Sequence, residues 1–131
     1  MAKGMFVTAI NCMDGRTQVP VIDWMKATFG ADYVDMITEP GPDKILSDDS
    51  NSLVESIKNR LTISVNRHGS KIVGIVSHGD CAGNPVSKKE HLRMVRKAVD
   101  AVAGWGLNVT VLGLWLDTPD WKVEKVCERA G

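Results

Sequence analysis

The sequence predicts an α/β domain: a mainly parallel central sheet of about four strands with helices on both faces. Three observations point there. Short apolar runs alternate with longer stretches whose apolar residues recur every three or four positions. One of the runs, Ile72 to Val76, is continuously apolar, as strands buried on both faces are, and Val109 to Leu116 reads as another buried strand. Glycine, proline and small polar residues punctuate the boundaries.

Taken in order, Met5 to Ile10 is a short apolar run with β-branched character, a buried strand ending at Asn11-Cys12. Pro20 opens a helix on which Val21, Met25 and Phe29 share a face, and Gly30 stops it. Tyr33 to Thr38 is a second strand, ended by the rigid turn Pro40-Gly41-Pro42, and the polar stretch Asp43 to Asp49 reads as loop. Asp49 or Ser50 caps the next helix, where Leu53, Ile57, Leu61 and Val65 recur every four residues before Gly69. Lys71 to Ser77 holds the third strand. Ser87, with Glu90 three residues on, forms a capping box for a helix carrying Leu92, Val95, Val99 and Val102, ended by Gly104 and Gly106. After the fourth strand, Thr118-Pro119 reads as a helix cap and first-turn proline. Val123, Val126, Cys127 and Ala130 then match helical spacing.

The 131 residues are expected to form one domain spanning 1–131, long enough to bury a core without staples. Sixteen basic residues balance sixteen acidic ones, which argues against nucleic acid or a membrane surface as partner. No apolar run approaches the roughly 20 residues that span a bilayer, and no signal-peptide pattern is visible. Three cysteines are too few for a disulfide scaffold, so a reduced, cytoplasmic setting is expected.

Two short motifs carry the chemistry: Cys12-Met13-Asp14-Gly15-Arg16 and His78-Gly79-Asp80-Cys81. Two thiolates and an imidazole are a ligand set that Zn²⁺ favours, and three protein ligands leave a fourth position open, as catalytic zinc sites do. A cysteine at a strand end is by itself only a small buried hydrophobe, and a histidine in a loop is by itself unremarkable. What separates these from that reading is place. In open α/β sheets ligands bind beyond the carboxyl ends of the strands, and Cys12, His78 and Cys81 all follow strands on that edge. If the first and third strands are neighbours, the three converge. Cys127 reads as a buried helix cysteine, His68 and His91 as surface residues, and Trp24, Trp105, Trp115 and Trp121 as core or interface material.

At these residues the chain resembles the β-class carbonic anhydrases, whose pattern is Cys-x-Asp-Ser-Arg after one strand and His-x-x-Cys after a later one. The resemblance implies that fold, zinc on Cys12, His78 and Cys81, and a catalytic pair Asp14 and Arg16. It implies a zinc lyase that reversibly hydrates CO₂ to bicarbonate with zinc-bound hydroxide, and a homodimer or higher homo-oligomer. Two thiolates should leave the zinc water less acidic than three imidazoles would. In some members the aspartate instead closes the fourth zinc position. Three departures stand out: Gly15 replaces the family serine, the N-terminal helical arm that embraces a partner has no counterpart, and Thr38-Glu39-Pro40-Gly41-Pro42 replaces the small-residue turn. Two alternatives remain. One is a hydrolase of CO₂-like molecules, carbonyl sulfide or carbon disulfide, on the same fold. The other is a non-catalytic zinc or anion-binding protein. A thiol redox role lacks the Cys-x-x-Cys it would need.

Overall fold

The computed structural model describes residues 3–131. Its strands are β1 (Phe6–Cys12), β2 (Tyr33–Glu39), β3 (Ile72–His78), β4 (Thr110–Leu116) and β5 (Val123–Ala130). Its helices are α1 (Gly15–Phe29), α2 (Pro42–Leu46), α3 (Val54–His68) and α4 (Lys88–Ala103). The sheet order is β2-β1-β3-β4-β5. The first four strands are parallel and β5 runs antiparallel to β4. The α/β class holds, with one strand more than expected. Strands β1 and β3 are neighbours, with Ala9 opposite Gly74, so the chain reverses its winding direction between them. That switch point is where α/β sheets open a crevice at their carboxyl edge.

Helices cover both faces unequally. On one face, Val21 and Met25 of α1 bury against Val7, Ala9, Val76, Leu112 and Leu114. On the other, α2, α3 and α4 supply Ile45, Leu46, Ile57, Leu61, Val95, Val99 and Val102 against Ile10, Val73 and Ile75. Burying each such side chain contributes about 1.5–3 kcal/mol. Packing is also close at Gly74 of β3, where an added Cβ would come 2.9 Å from Leu114 Cδ1 and displace that methyl group.

The last segment is a strand, not the helix its spacing suggests, and the reason is a β-bulge. Gly113 pairs with Cys127 and Leu114 with Lys125, so Val126 is an extra residue in β5. The bulge turns Val126 and Cys127 onto one face while Val123 packs on the other. The resulting i, i+3, i+4 apolar spacing imitates a helix. Cys127 is accordingly half-buried on an edge strand, and Thr118-Pro119 lies in the turn before it, joined by a cis bond.

Three helix starts also move. Asp14 caps α1, its carboxylate accepting from Arg16 N at 2.9 Å, so the helix begins five residues before Pro20 and carries the proline inside. The expected loop after Pro42 contains α2, with proline in its first turn. Helix α3 begins at Val54 without a side-chain cap. Asp48 and Asn51 use their side chains to accept from the backbone amides of Ser50 and Leu53 in preceding turns. Ser87 does cap α4, accepting from Glu90 N. Among the described residues no helix is long and apolar enough to cross a membrane.

Candidate metal centre

The three predicted ligands converge. Cys12 ends β1, His78 ends β3 and Cys81 follows three residues later, each nearly inaccessible to solvent. The two sulfurs and the ring nitrogen lie within 4.8 Å of one another, the one such cluster among the described residues able to hold a metal ion. The sulfurs are 3.9 Å apart. Tetrahedral coordination with metal–sulfur bonds near 2.3 Å would put them about 3.8 Å apart, so little movement is needed.

Local structure prepares each donor. The His78 Nδ1–H donates to the Gly79 carbonyl at 2.7 Å, which leaves the lone pair on Nε2. That Nε2 is buried and has no hydrogen-bond partner, an expensive arrangement unless something else occupies the lone pair. The thiols show the same want. The Cys81 side chain beside Cys12 lowers the Cys12 thiol to about 4 against the penalty of burial, and the resulting thiolate pushes Cys81 far up. The two sulfurs thus share one proton that resists leaving, and a divalent cation removes that resistance. At His78, burial is the largest influence and opposes the imidazolium, but the Cys12 sulfur, the Gly79 carbonyl and the Asp14 charge together raise the ring above its ordinary value. An orphaned imidazole nitrogen and two coupled soft donors fit a zinc-like ion.

Asp14 and Arg16 lie beside this cluster. Arg16 Nη2 donates to Asp14 Oδ2 at 2.7 Å and Nε to Oδ1 at 3.1 Å, a bidentate pair. The pair, with help from the Arg16 backbone amide, overcomes the desolvation penalty and holds the Asp14 carboxyl down to about 2. Asp14 therefore turns to the guanidinium and is not among the metal-ligating cluster. With Cys12, Met13, Pro40, Ala82 and Gly83 it lines a cavity of about 190 Å³.

Sequence reasoning missed four contributors. Asp80 accepts from Arg16 Nη1 at 3.1 Å, and its backbone carbonyl accepts from Nη2, so Arg16 ties the two motifs together. Asp80 lies inside a motif already singled out, with φ of 53°, and its charge was the available signal. Trp121 sits under the guanidinium, 4.6 Å from ring centroid to Arg16 Cζ. No local pattern announces it, because the bulged β5 and its turn deliver it from the far end of the chain. The other two are Gly41 and Gly83. Gly41 has φ of 68°, and a Cβ on Gly83 would come within 2.5 Å of the Pro40 carbonyl carbon. The Pro40-Gly41 turn is thus pressed onto the loop that carries Cys81. Glu39 turns away to an ion pair with Arg60, so this segment brings proline rather than charge to the cavity. Gly15 is not forced by packing, since a Cβ there would meet nothing within 4 Å. His68 is half-exposed and bonded to Asp35, whereas His91 is buried, contrary to its expected surface position.

A mainly parallel α/β sheet whose switch point gathers two thiols and an imidazole able to hold a metal, beside a paired aspartate and arginine, defines an α/β protein with a candidate metal centre at its carboxyl edge. The model of a family described as "Putative carbonic anhydrase" matches residues 2–127, and the chain belongs to that family. No curated protein matches the chain. Solved structures resemble it in fold. A carbonic anhydrase from Streptococcus mutans aligns with TM-score 0.66 at 16% identity, over 92% of this chain and 81% of that one. An apo carbon disulfide hydrolase aligns with TM-score 0.63 at 14% identity, over 91% and 77%. One of two tetrameric β-carbonic anhydrases from Sordaria macrospora aligns with TM-score 0.55 at 14% identity, over 95% and 82%. At these identities the likeness is one of fold, and the fold is that of the β-carbonic anhydrases.

Proposed function

We propose that the chain is a zinc-dependent lyase that interconverts CO₂ and bicarbonate. Family membership supports an enzyme in general. The observation that carries the specific reading is the Cys12–His78–Cys81 cluster beside the Asp14–Arg16 pair, with Cys12 and Asp14 both lining one small cavity. A structural metal site has no use for such a pair.

Cys12, His78 and Cys81 would hold the zinc, which would act as a Lewis acid that brings the ionisation of water towards ~7. The chain's own residues do the rest. Arg16, clamped by Asp80 and by the Trp121 face, keeps Asp14 ionised and fixed in direction. A carboxylate offers about four acceptor positions, and Arg16 does not exhaust them. Asp14 can thus accept a hydrogen bond from a hydroxyl at the cavity wall and aim that oxygen's free lone pair at the electrophile. Pro40, Ala82 and Met13 supply apolar wall, suited to a small, linear, uncharged substrate. The same wall suits carbonyl sulfide or carbon disulfide. That second reading draws support from the apolar lining and from the likeness to a carbon disulfide hydrolase. A homo-oligomer in the cytoplasm is the expected form. Met13 and Val86, exposed beside the site, supply apolar surface for a partner copy.

Stopped-flow CO₂ hydration from pH 6.5 to 9, on protein of verified zinc content, tests the proposal. Turnover rising with pH is the expected result. Zinc-loaded protein that leaves CO₂ untouched but hydrolyses carbon disulfide would replace the first reading with the second.

A further inference from the structure

Behind the two ligand loops lies a second buried polar cluster that the proposed chemistry does not use. Asp43 of α2 and His91 of α4 are each about 1% exposed. The His91 Nδ1–H donates to Asp43 Oδ2 at 2.6 Å. The Asn84 amide, also buried, lies 3.4 Å from the same nitrogen and 3.3 Å from Met94 Sδ. Asp43 Oδ1, His91 Nε2 and the neighbouring Trp115 Nε1 are buried with no protein partner. An apolar pair of equal volume would serve packing at least as well, so stability alone does not account for this cluster.

Its connections do. Gly41, two residues before Asp43, caps α2, its carbonyl accepting from Lys44 N at 3.1 Å. Its α-carbon packs on Asn84, where an added Cβ would come within 2.9 Å of the asparagine Cβ. Asn84 N donates to the Cys81 carbonyl at 3.3 Å. Met13 N donates to the Glu39 carbonyl at 3.0 Å, and Cys12, Pro40 and Gly83 line one cavity, so the Gly41 turn adjoins both ligand loops; the Gly41 amide favours the Cys12 thiolate, and the Asn84 and Gly83 amides that of Cys81. Fixing Asp43 to His91 therefore fixes, from behind, the backbone that surrounds both sulfurs.

We propose that Asp43 and His91 are positioning residues of the metal centre: a buried clasp between α2 and α4 that holds the Gly41 turn and the Cys81–Asn84 loop in ligating register. This rests on the metal-centre reading of Cys12, His78 and Cys81. Groups that hydrogen-bond the ligands themselves typically tune metal affinity ten- to a hundredfold, and the clasp, one layer behind them, is expected at the low end of that range.

The test compares wild type, D43L/H91L, H91Q and H91N, each checked for folding by circular dichroism. Zinc affinity is measured by competition with a chromophoric chelator, and the thiolate-to-metal charge-transfer band is recorded after cobalt loading. D43L/H91L removes both polar partners and keeps an apolar fill. H91Q keeps the size but moves the donor, and gives the same reading where the double variant folds poorly. Both are expected to bind zinc about tenfold more weakly and to shift the cobalt band. H91N, which keeps a donor near the Nδ1 position, is expected to restore most of the affinity. Folded D43L/H91L or H91Q with wild-type affinity and an unshifted band would reduce the clasp to a helix–helix tie and overturn the proposal. Wild type that takes up no zinc would overturn the metal-centre reading itself, and the clasp with it.

Discussion

His78 and His91 are buried to the same degree, about 1% exposed, and each gives its Nδ1 proton to an oxygen. Each also keeps an Nε2 without a hydrogen-bond partner. By burial and tautomer the two are alike. The difference is the company of the ring. Cys12 and Cys81 converge on His78 from two places on the carboxyl edge of the sheet, whereas His91 meets a single carboxylate, an amide and the Trp115 ring. An orphaned imidazole nitrogen marks a metal site only where soft donors from separate strand ends meet it.

The largest expected break in the comparison is His78→Ala. If the cluster holds zinc, losing one of three ligands should weaken binding roughly a hundred- to a thousandfold, from the apparent energies of structural zinc shared among ligands. Metal analysis after dialysis checks it, with Cys81→Ser as a parallel case. Retained stoichiometric zinc in either would remove that residue from the ligand set. Asp14→Ala sharpens the contrast from the other side, because it touches the chemistry and spares the donors. Zinc content should stay while turnover falls on the order of a hundredfold, the low end for loss of a positioned proton-handling group. Full activity would make the Asp14–Arg16 pair incidental. The Asp43–His91 clasp comes next, with an expected effect of about tenfold on affinity.

A smaller effect concerns pH. Arg16 depresses the Asp14 carboxyl to about 2. A depressed carboxylate stabilises the fold above its unfolded pKa, near 3.9, and that contribution disappears as pH falls through the folded value. Asp14 is thus charged throughout pH 6.5 to 9 and cannot set a neutral-pH activity limb. Arg16→Gln should return the carboxyl towards its ordinary range, read by carbon-detected NMR titration. An unmoved Asp14 would show that the helix terminus, not the guanidinium, holds it down. Smallest is Gly15→Ser, which adds a side chain in open space. Melting temperature and zinc content should both stay put.

How much of this was legible in the sequence follows the range of each interaction. The strands β1, β3 and β4 declared themselves because burial on both faces makes short, predominantly apolar, β-branched runs. The ligands declared themselves because each sits at a strand end, and the sheet places strand ends together. His91 left a signal that went unread: it precedes Val95 by four residues, on the buried stripe of α4. Its partner Asp43 left none, because a five-residue helix after a proline turn looks like polar loop. The β5 bulge was misleading rather than silent, since an extra residue in a strand converts period-two alternation into helical spacing. Trp121 under Arg16, and Gly83 against Pro40, depend on segments distant in the chain, and no local window contains them.

The most direct measurement is zinc-edge X-ray absorption on the metal-loaded protein. Two sulfur ligands at about 2.3 Å and one imidazole nitrogen at about 2.0–2.1 Å, with one further light atom, are expected from Cys12, Cys81 and His78 with an open fourth position. A shell without sulfur, or with four sulfurs, would contradict the assignment of the metal centre to these three residues.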